Sequence, residues 1–220
     1  MGAIAAKFPP MTQAQISLFI VTSLVIIISP GQDMILVMSK AISQGSKAGI
    51  ITALGVSLGL MGHTILTAFG LGSLLQASEL LFNILKFVGA AYLVYLGLRL
   101  IFSAGSELEL DLDQERPERN SKNFWTGALS NLSNPKITIF YFAYLPQFIS
   151  AEATSPGLLL LALGIGFAAL TFLVKGPVGY FAGVLSSWLR SRPAVLRWID
   201  RTSGAVLILL GVRLALEERG

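Results

Sequence analysis

Apolar positions in this chain run in long blocks rather than in strict alternation, and short clusters of loop-forming residues separate them. Six blocks reach or approach the roughly 20 residues that a helix needs to span a bilayer. They are Ile16 to Met38, Ala48 to Leu75, Leu80 to Phe102, Phe124 to Ile149, Leu158 to Tyr180 and Ile199 to Leu216. The breaks carry turn chemistry: Ser43-Gln44-Gly45-Ser46-Lys47, Gln76-Ala77-Ser78-Glu79 and Ala153-Thr154-Ser155-Pro156-Gly157. Ser29-Pro30-Gly31 interrupts the first block, after which the apolar pattern resumes to Met38. That reads as one interrupted helix, not a cleaved leader. The pattern predicts an all-α membrane protein with six transmembrane helices.

The blocks repeat. Gly89 to Leu100, GAAYLVYLGLRL, resembles Gly204 to Leu214, GAVLILLGVRL, and Phe19 precedes Pro30 by the same eleven residues that separate Phe124 from Pro135. A three-helix unit crosses the membrane an odd number of times, so a second copy must enter from the opposite side. The expected plan is two inverted three-helix repeats, residues 1–102 and 124–220, with an acidic linker, 103–123, between them. Helices one and four are interrupted at Pro30 and Pro135. Inverted repeats are a common transporter architecture, with the substrate near the midplane.

Composition supports the membrane reading: 54% of residues are hydrophobic, 13% charged, and mean hydropathy is +0.71. A net charge of +4 could suggest nucleic acid, but the basic residues lie in short loops and not in a patch interleaved with aromatics. Nucleic acid is therefore excluded as a partner. Zero cysteines and a single histidine exclude disulfides, thiol chemistry and Cys/His metal clusters, and no metal or cofactor is expected. Ten Lys and Arg residues fall in the loops after spans one, three and five against four on the other side. Positive residues are retained in the cytoplasm, which puts both termini in the periplasm. The linker holds six acidic residues from Glu107 to Glu118 and reads first as a solvated connection, with a docking or regulatory arm as the alternative.

The chemistry concentrates at the two interruptions, Ser29-Pro30-Gly31-Gln32-Asp33 and Asn134-Pro135-Lys136. Ser29 and Asn134 are N-cap residue types, Pro suits the first helical position, and Gln32 stands where a capping-box partner belongs. Each motif thus reads as a fresh helix start inside the bilayer. Unpaired N–H groups and the positive end of the helix dipole there favour an anion such as a carboxylate. Asp33 can hold an ammonium group or carry a proton, and Lys136 can pair with Asp33 or with a substrate carboxylate. Together these charges suit a zwitterion. The alternative is two structural Pro kinks with Asp33 and Lys136 locked in an ion pair.

Three further residues have two readings each. His63 is either a proton relay, because imidazole titrates near neutrality, or a satisfied packing contact. Lys175, beside Gly176-Pro177, either faces the cavity or snorkels to an interface. Tyr141, in an aromatic run, either lines the substrate path or meets lipid and neighbouring helices. Gly55 and Gly59 form a small-xxx-small spacing that permits close helix approach.

At these residues the chain resembles the LysE/RhtB family of amino-acid exporters, which includes threonine and homoserine or homoserine-lactone efflux proteins. SPGQDMILVMSKAISQGSKAGIITALGVSLG is similar to the family's Pro-Gly-Pro-x segment and its following Gly-rich helix. FWTGALSNLSNPKITIFYFAYLPQF is similar to its Asn-Pro-Lys block, and RWIDRTSGAVLILLGVRLAL to its last helix. The resemblance implies export of amino acids or close derivatives across a bacterial inner membrane, coupled to the proton motive force. It carries over to Pro30, Gly31, Asp33, Asn134, Pro135 and Lys136. Gln32 departs from the family's proline, exchanging a fixed φ for an amide.

The expected protein is thus a secondary exporter, with an amino acid and the lipid bilayer as partners and self-association as a candidate property. Ser29, Pro30, Gly31, Gln32, Asp33, Asn134, Pro135 and Lys136 are its substrate-binding residues, and Asp33 and His63 its proton-coupling groups. An accessory membrane subunit and an intramembrane enzyme using Asp33 and Lys136 as acid and base are the alternatives. The enzyme is the weaker of these, since no nucleophile–base set accompanies the pair.

Overall fold

The computed structural model describes residues 11–71, 79–103, 118–149 and 155–216, among which all regular structure is helical. Residues 104–117 of the acidic linker lie outside the described residues. The helices are α1 (Gln13–Ile28), α2 (Gln32–Gln44), α3 (Ser46–Ile65), α4 (Glu79–Phe102), α5 (Asn120–Leu132), α6 (Pro135–Ile139), α7 (Pro156–Arg190) and α8 (Pro193–Leu216). Two more wound segments follow α6: a π turn at Phe140–Tyr144 and a 3-10 turn at Leu145–Phe148.

Among the described residues, two helical stretches suffice by length and hydropathy to cross a membrane, Ser46–Gly70 and Pro156–Ala182. A third is available if α1 and α2, bent by 53°, count as one span. Two or three of the six expected spans thus meet this measure among the described residues. The expected fourth span is divided between α5, α6 and the turns that follow. The expected sixth is the C-terminal part of α8, a helix that carries Arg197, Asp200, Arg201 and Arg213.

Local chemistry sets the helix ends. Thr12 and Gln15 close a capping box on α1, each side chain accepting from the other residue's backbone N–H. Gly45, at φ 94° and ψ 163°, makes the tight corner between α2 and α3 in a conformation open only to glycine.

Glycines then decide which helices touch. A Cβ on Gly55 would run into the Phe124 carbonyl, one on Gly127 into the Thr52 carbonyl, and one on Gly59 would lie 2.6 Å from the Ala128 carbonyl. The small-xxx-small face therefore seats α5 against α3. Elsewhere Gly49 faces Gly179, and Gly164 faces Thr64, so α3 and α7 run antiparallel. Gly97 faces Gly204 and Gly211 faces Ala90, which makes α4 and α8 antiparallel as well. Large apolar side chains such as Phe69, Phe102, Val184 and Leu216 point outward, as lipid-facing residues do.

Lys40, near the end of α2, is buried and lies 3.2 Å from Glu118, which also holds Lys122 at 2.6 Å. Gln44 accepts from the Glu118 backbone and from the Asn123 amide, completing a latch between α2 and the start of α5. The hydrogen bond from Lys122, with support from Lys40, holds the Glu118 carboxyl below the usual carboxylate range. A depressed folded-state value means that the latch contributes stability above the unfolded value and loses it as pH falls through the folded one. Melting curves of wild type and Glu118→Gln in detergent should therefore differ at neutral pH and converge only in acid. A constant difference down to pH 3 would remove Glu118 from this role.

Candidate functional site

The break after α1 is built by Pro30 and by Gly31, whose extended backbone (φ 167°, ψ −177°) separates Pro30 from the first turn of α2. Ser29, held extended before the proline, closes α1 through its own N–H to the Val25 carbonyl at 2.9 Å. The expected Ser29 cap and Gln32 capping box are therefore corrected: the N-cap of α2 is Gly31, with no side-chain capping bond. Gln32 instead reaches across to Ser130, donating to its hydroxyl at 3.1 Å. The second break follows the expected chemistry, since Asn134 is the N-cap of α6, its side chain accepts from Lys136 N at 3.1 Å, and Pro135 takes the first turn.

The two breaks meet. Lys136 Nζ donates to the carbonyls of Ser29 at 3.2 Å and Ile26 at 3.3 Å, satisfying acceptors at the C-terminus of α1. A Cβ on Gly31 would stand 3.2 Å from that ammonium, so glycine gives Lys136 its room. Asp33, in the first turn of α2, is 3% exposed. Its Oδ2 accepts from Asn131 Nδ2 at 2.8 Å and pairs with Lys175 Nζ at 3.3 Å, while its Oδ1 has no hydrogen-bond partner among the described residues. The expected Asp33–Lys136 pair is thus replaced by Asp33–Lys175. Lys175 sits in the interior of α7 with 5% exposure, which decides between its two readings in favour of the site.

His63 joins this cluster indirectly. Its Nε2 lies 3.2 Å from the Asn131 carbonyl. A carbonyl only accepts, so Nε2 carries the proton, and Nδ1 has no partner among the described residues. Tyr141 is fully buried, donates to the Gly164 carbonyl and accepts from Thr64, and lines neither of the two cavities at the breaks. Of its two readings, this placement matches contact with neighbouring helices.

Those two cavities share Ser29, Gly31, Asn134 and Lys136. The inner one, about 10 Å³, is bounded by Asp33, Asn131 and Lys175 and has room for about one water. The outer one, about 540 Å³, adds Pro30, Gln32, Pro135, Tyr92 and Arg99 and falls in the usual range of ligand pockets. Sequence reasoning missed Asn131, Tyr92 and Arg99 as site residues. The signal for Arg99 was its place in the repeated Leu-Gly-x-Arg-Leu motif.

Residues 24–218 match the profile of the LysE type translocators. The chain belongs to that family. It is a membrane translocator and not an enzyme. It is 30% identical over 198 residues to a homoserine/homoserine lactone efflux protein of Salmonella typhimurium, covering 90% of this chain and 94% of that one. It is also 31% identical over 207 residues to the uncharacterized membrane protein YrhP of Bacillus subtilis, covering 90% and 97%. No solved structure matches. The LysE translocator thus places an acid, two lysines and two helix breaks around one water-sized space that adjoins a far larger cavity.

Proposed function

We propose that the chain exports amino acids or close derivatives across a bacterial inner membrane, as a proton-coupled secondary transporter. The observation that carries this is the shared wall of the two cavities. One broken helix supplies Gly31 and Asp33, the other Asn134 and Lys136, and the outer cavity adds Arg99. A carboxylate is served by the Lys136 ammonium and the Arg99 guanidinium, and an ammonium by Asp33 in place of Lys175. The homoserine efflux relative makes small neutral amino acids the first substrates to try.

Alternating access between two inverted halves of three spans each, with both termini periplasmic, fits the helix contacts. Gly49 and Gly164 stand 115 residues apart, as do their partners Thr64 and Gly179, so the α3–α7 contact maps onto itself when the halves are exchanged. The α4–α8 contact does the same with an offset of 114. The outer cavity reaches Arg99 and Ser103, at the end of α4 that the Lys/Arg bias puts in the cytoplasm. This is an inward-facing arrangement. A proton placed on Asp33 Oδ1 would neutralise the carboxylate and release Lys175, which couples protonation to the contact between α2 and α7.

Counterflow of a labelled amino-acid panel in proteoliposomes tests the reading; no exchange of any member by well-folded protein would overturn it. In the same assay Lys136→Met should raise the half-saturating substrate concentration about tenfold, the loss of one charge-assisted hydrogen bond. An unchanged value would take Lys136 out of substrate binding.

A further inference from the structure

The Leu-Gly-x-Arg-Leu motif occurs twice, and each copy ends at a cavity. Arg99 and Leu100 line the 540 Å³ cavity, while Arg213 and Leu214 line another of about 70 Å³ with Gln15, Tyr144 and Gln147. Because α4 and α8 are antiparallel, with Gly97 facing Gly204, the two arginines lie about 17 Å apart along the pair at 1.5 Å per residue. They therefore mark opposite ends of the bundle.

One stretch of chain joins the cavities. Lys136 lines the first and Tyr144 the second, and between them Ile137, Phe140 and Tyr141 are at most 4% exposed. Phe140 stacks on Tyr144 at 5.5 Å and meets Phe167 at 4.7 Å. Phe140 and Tyr141, both wholly buried, are the rings on the stretch of chain between the two cavities. Phe140, Tyr141 and Tyr144 lie on the π turn, a geometry that is rare and concentrated at functional sites.

We infer that the Arg213 cavity is the closed periplasmic vestibule of the transport path, where the Arg213 guanidinium receives the substrate carboxylate after it has left Lys136 and Arg99. This rests on the exporter reading above. At 70 Å³ the vestibule holds a few waters and no amino acid, so it is the shut counterpart of the open cytoplasmic cavity. Its chemistry suits the role: a planar fork that pairs with a carboxylate in two parallel hydrogen bonds, beside the neutral amides of Gln15 and Gln147.

The chain has no cysteine of its own, so Gln147→Cys and Ser103→Cys can each be labelled with a membrane-impermeant maleimide in oriented vesicles. Gln147→Cys should react from the periplasmic face and Ser103→Cys from the cytoplasmic face. An equimolar mixture of L-amino acids including L-homoserine should slow labelling of Gln147→Cys about tenfold, and the matching amides should not. Arg213→Gln should abolish that protection and Arg213→Lys should keep part of it. Labelling of both cysteines from one face, no protection, equal protection by the amides, or protection that survives Arg213→Gln would each overturn the inference. The exporter reading is scored separately by counterflow, since face-specific labelling with carboxylate protection but no exchange would sink that reading and leave only a periplasmic carboxylate site at Arg213.

Discussion

Replacing Asp33 with Asn should abolish export driven by a proton gradient while leaving the protein inserted, because the carboxylate that a proton can neutralise is gone. It should also strip Lys175 of its partner. Removing one member of a buried ion pair costs roughly 3–5 kcal/mol, because the other charge is left unpaired in a medium that solvates it poorly. Asp33→Asn alone is therefore expected to melt well below wild type. The double variant Asp33→Asn/Lys175→Met, with no charge left to strand, should recover most of the loss. Transport and stability then separate: thermal midpoints in detergent follow the pair, and proton-driven export follows Asp33 alone. Export at the wild-type rate under a pH gradient by Asp33→Asn would take the coupling role away from this residue.

The second large effect is mechanical. Gly55→Val should prevent α3 and α5 from closing, since even the first side-chain carbon collides with the Phe124 backbone carbonyl, which cannot rotate away. Overpacking of this kind typically costs about 1–3 kcal/mol where side chains can yield, and more where the obstacle is backbone. Loss of the monodisperse peak on size exclusion is the expected result. Gly70→Ala is the control, because nothing stands within 4 Å of a Cβ there. Because α5 leads into Asn134 and Lys136, a variant that folded with its helices apart would also bind substrate poorly. A Gly55→Val protein with wild-type melting and transport would contradict the packing.

What the sequence makes legible is local chemistry. Pro30 and Pro135 mark the breaks, Asn134 advertises its cap through residue type and spacing, and Gly55 and Gly59 show a helix face shaped for contact. The partnerships across the bundle are not legible. Lys175 lies 142 residues from Asp33, and the Gly176-Pro177 beside it says nothing about which helix it will face. Asn131 looks like any polar residue near a helix end until Asp33 is placed beside it. Ser29 misleads because its type fits a cap, whereas the extended Gly31 behind Pro30 delays the helix and takes the position. Charge counting assigns Arg99 to a loop, yet it lines the largest cavity described at the breaks.

The seam between α4 and α8 has one more implication. Gly97 against Gly204 and Gly211 against Ala90 is a contact that stays the same when the two helices trade places. Surfaces with that property are what homodimers use, since one patch must recognise its own copy. On the inverted-repeat plan proposed above, two separate half-length chains would find this same seam already cut to fit.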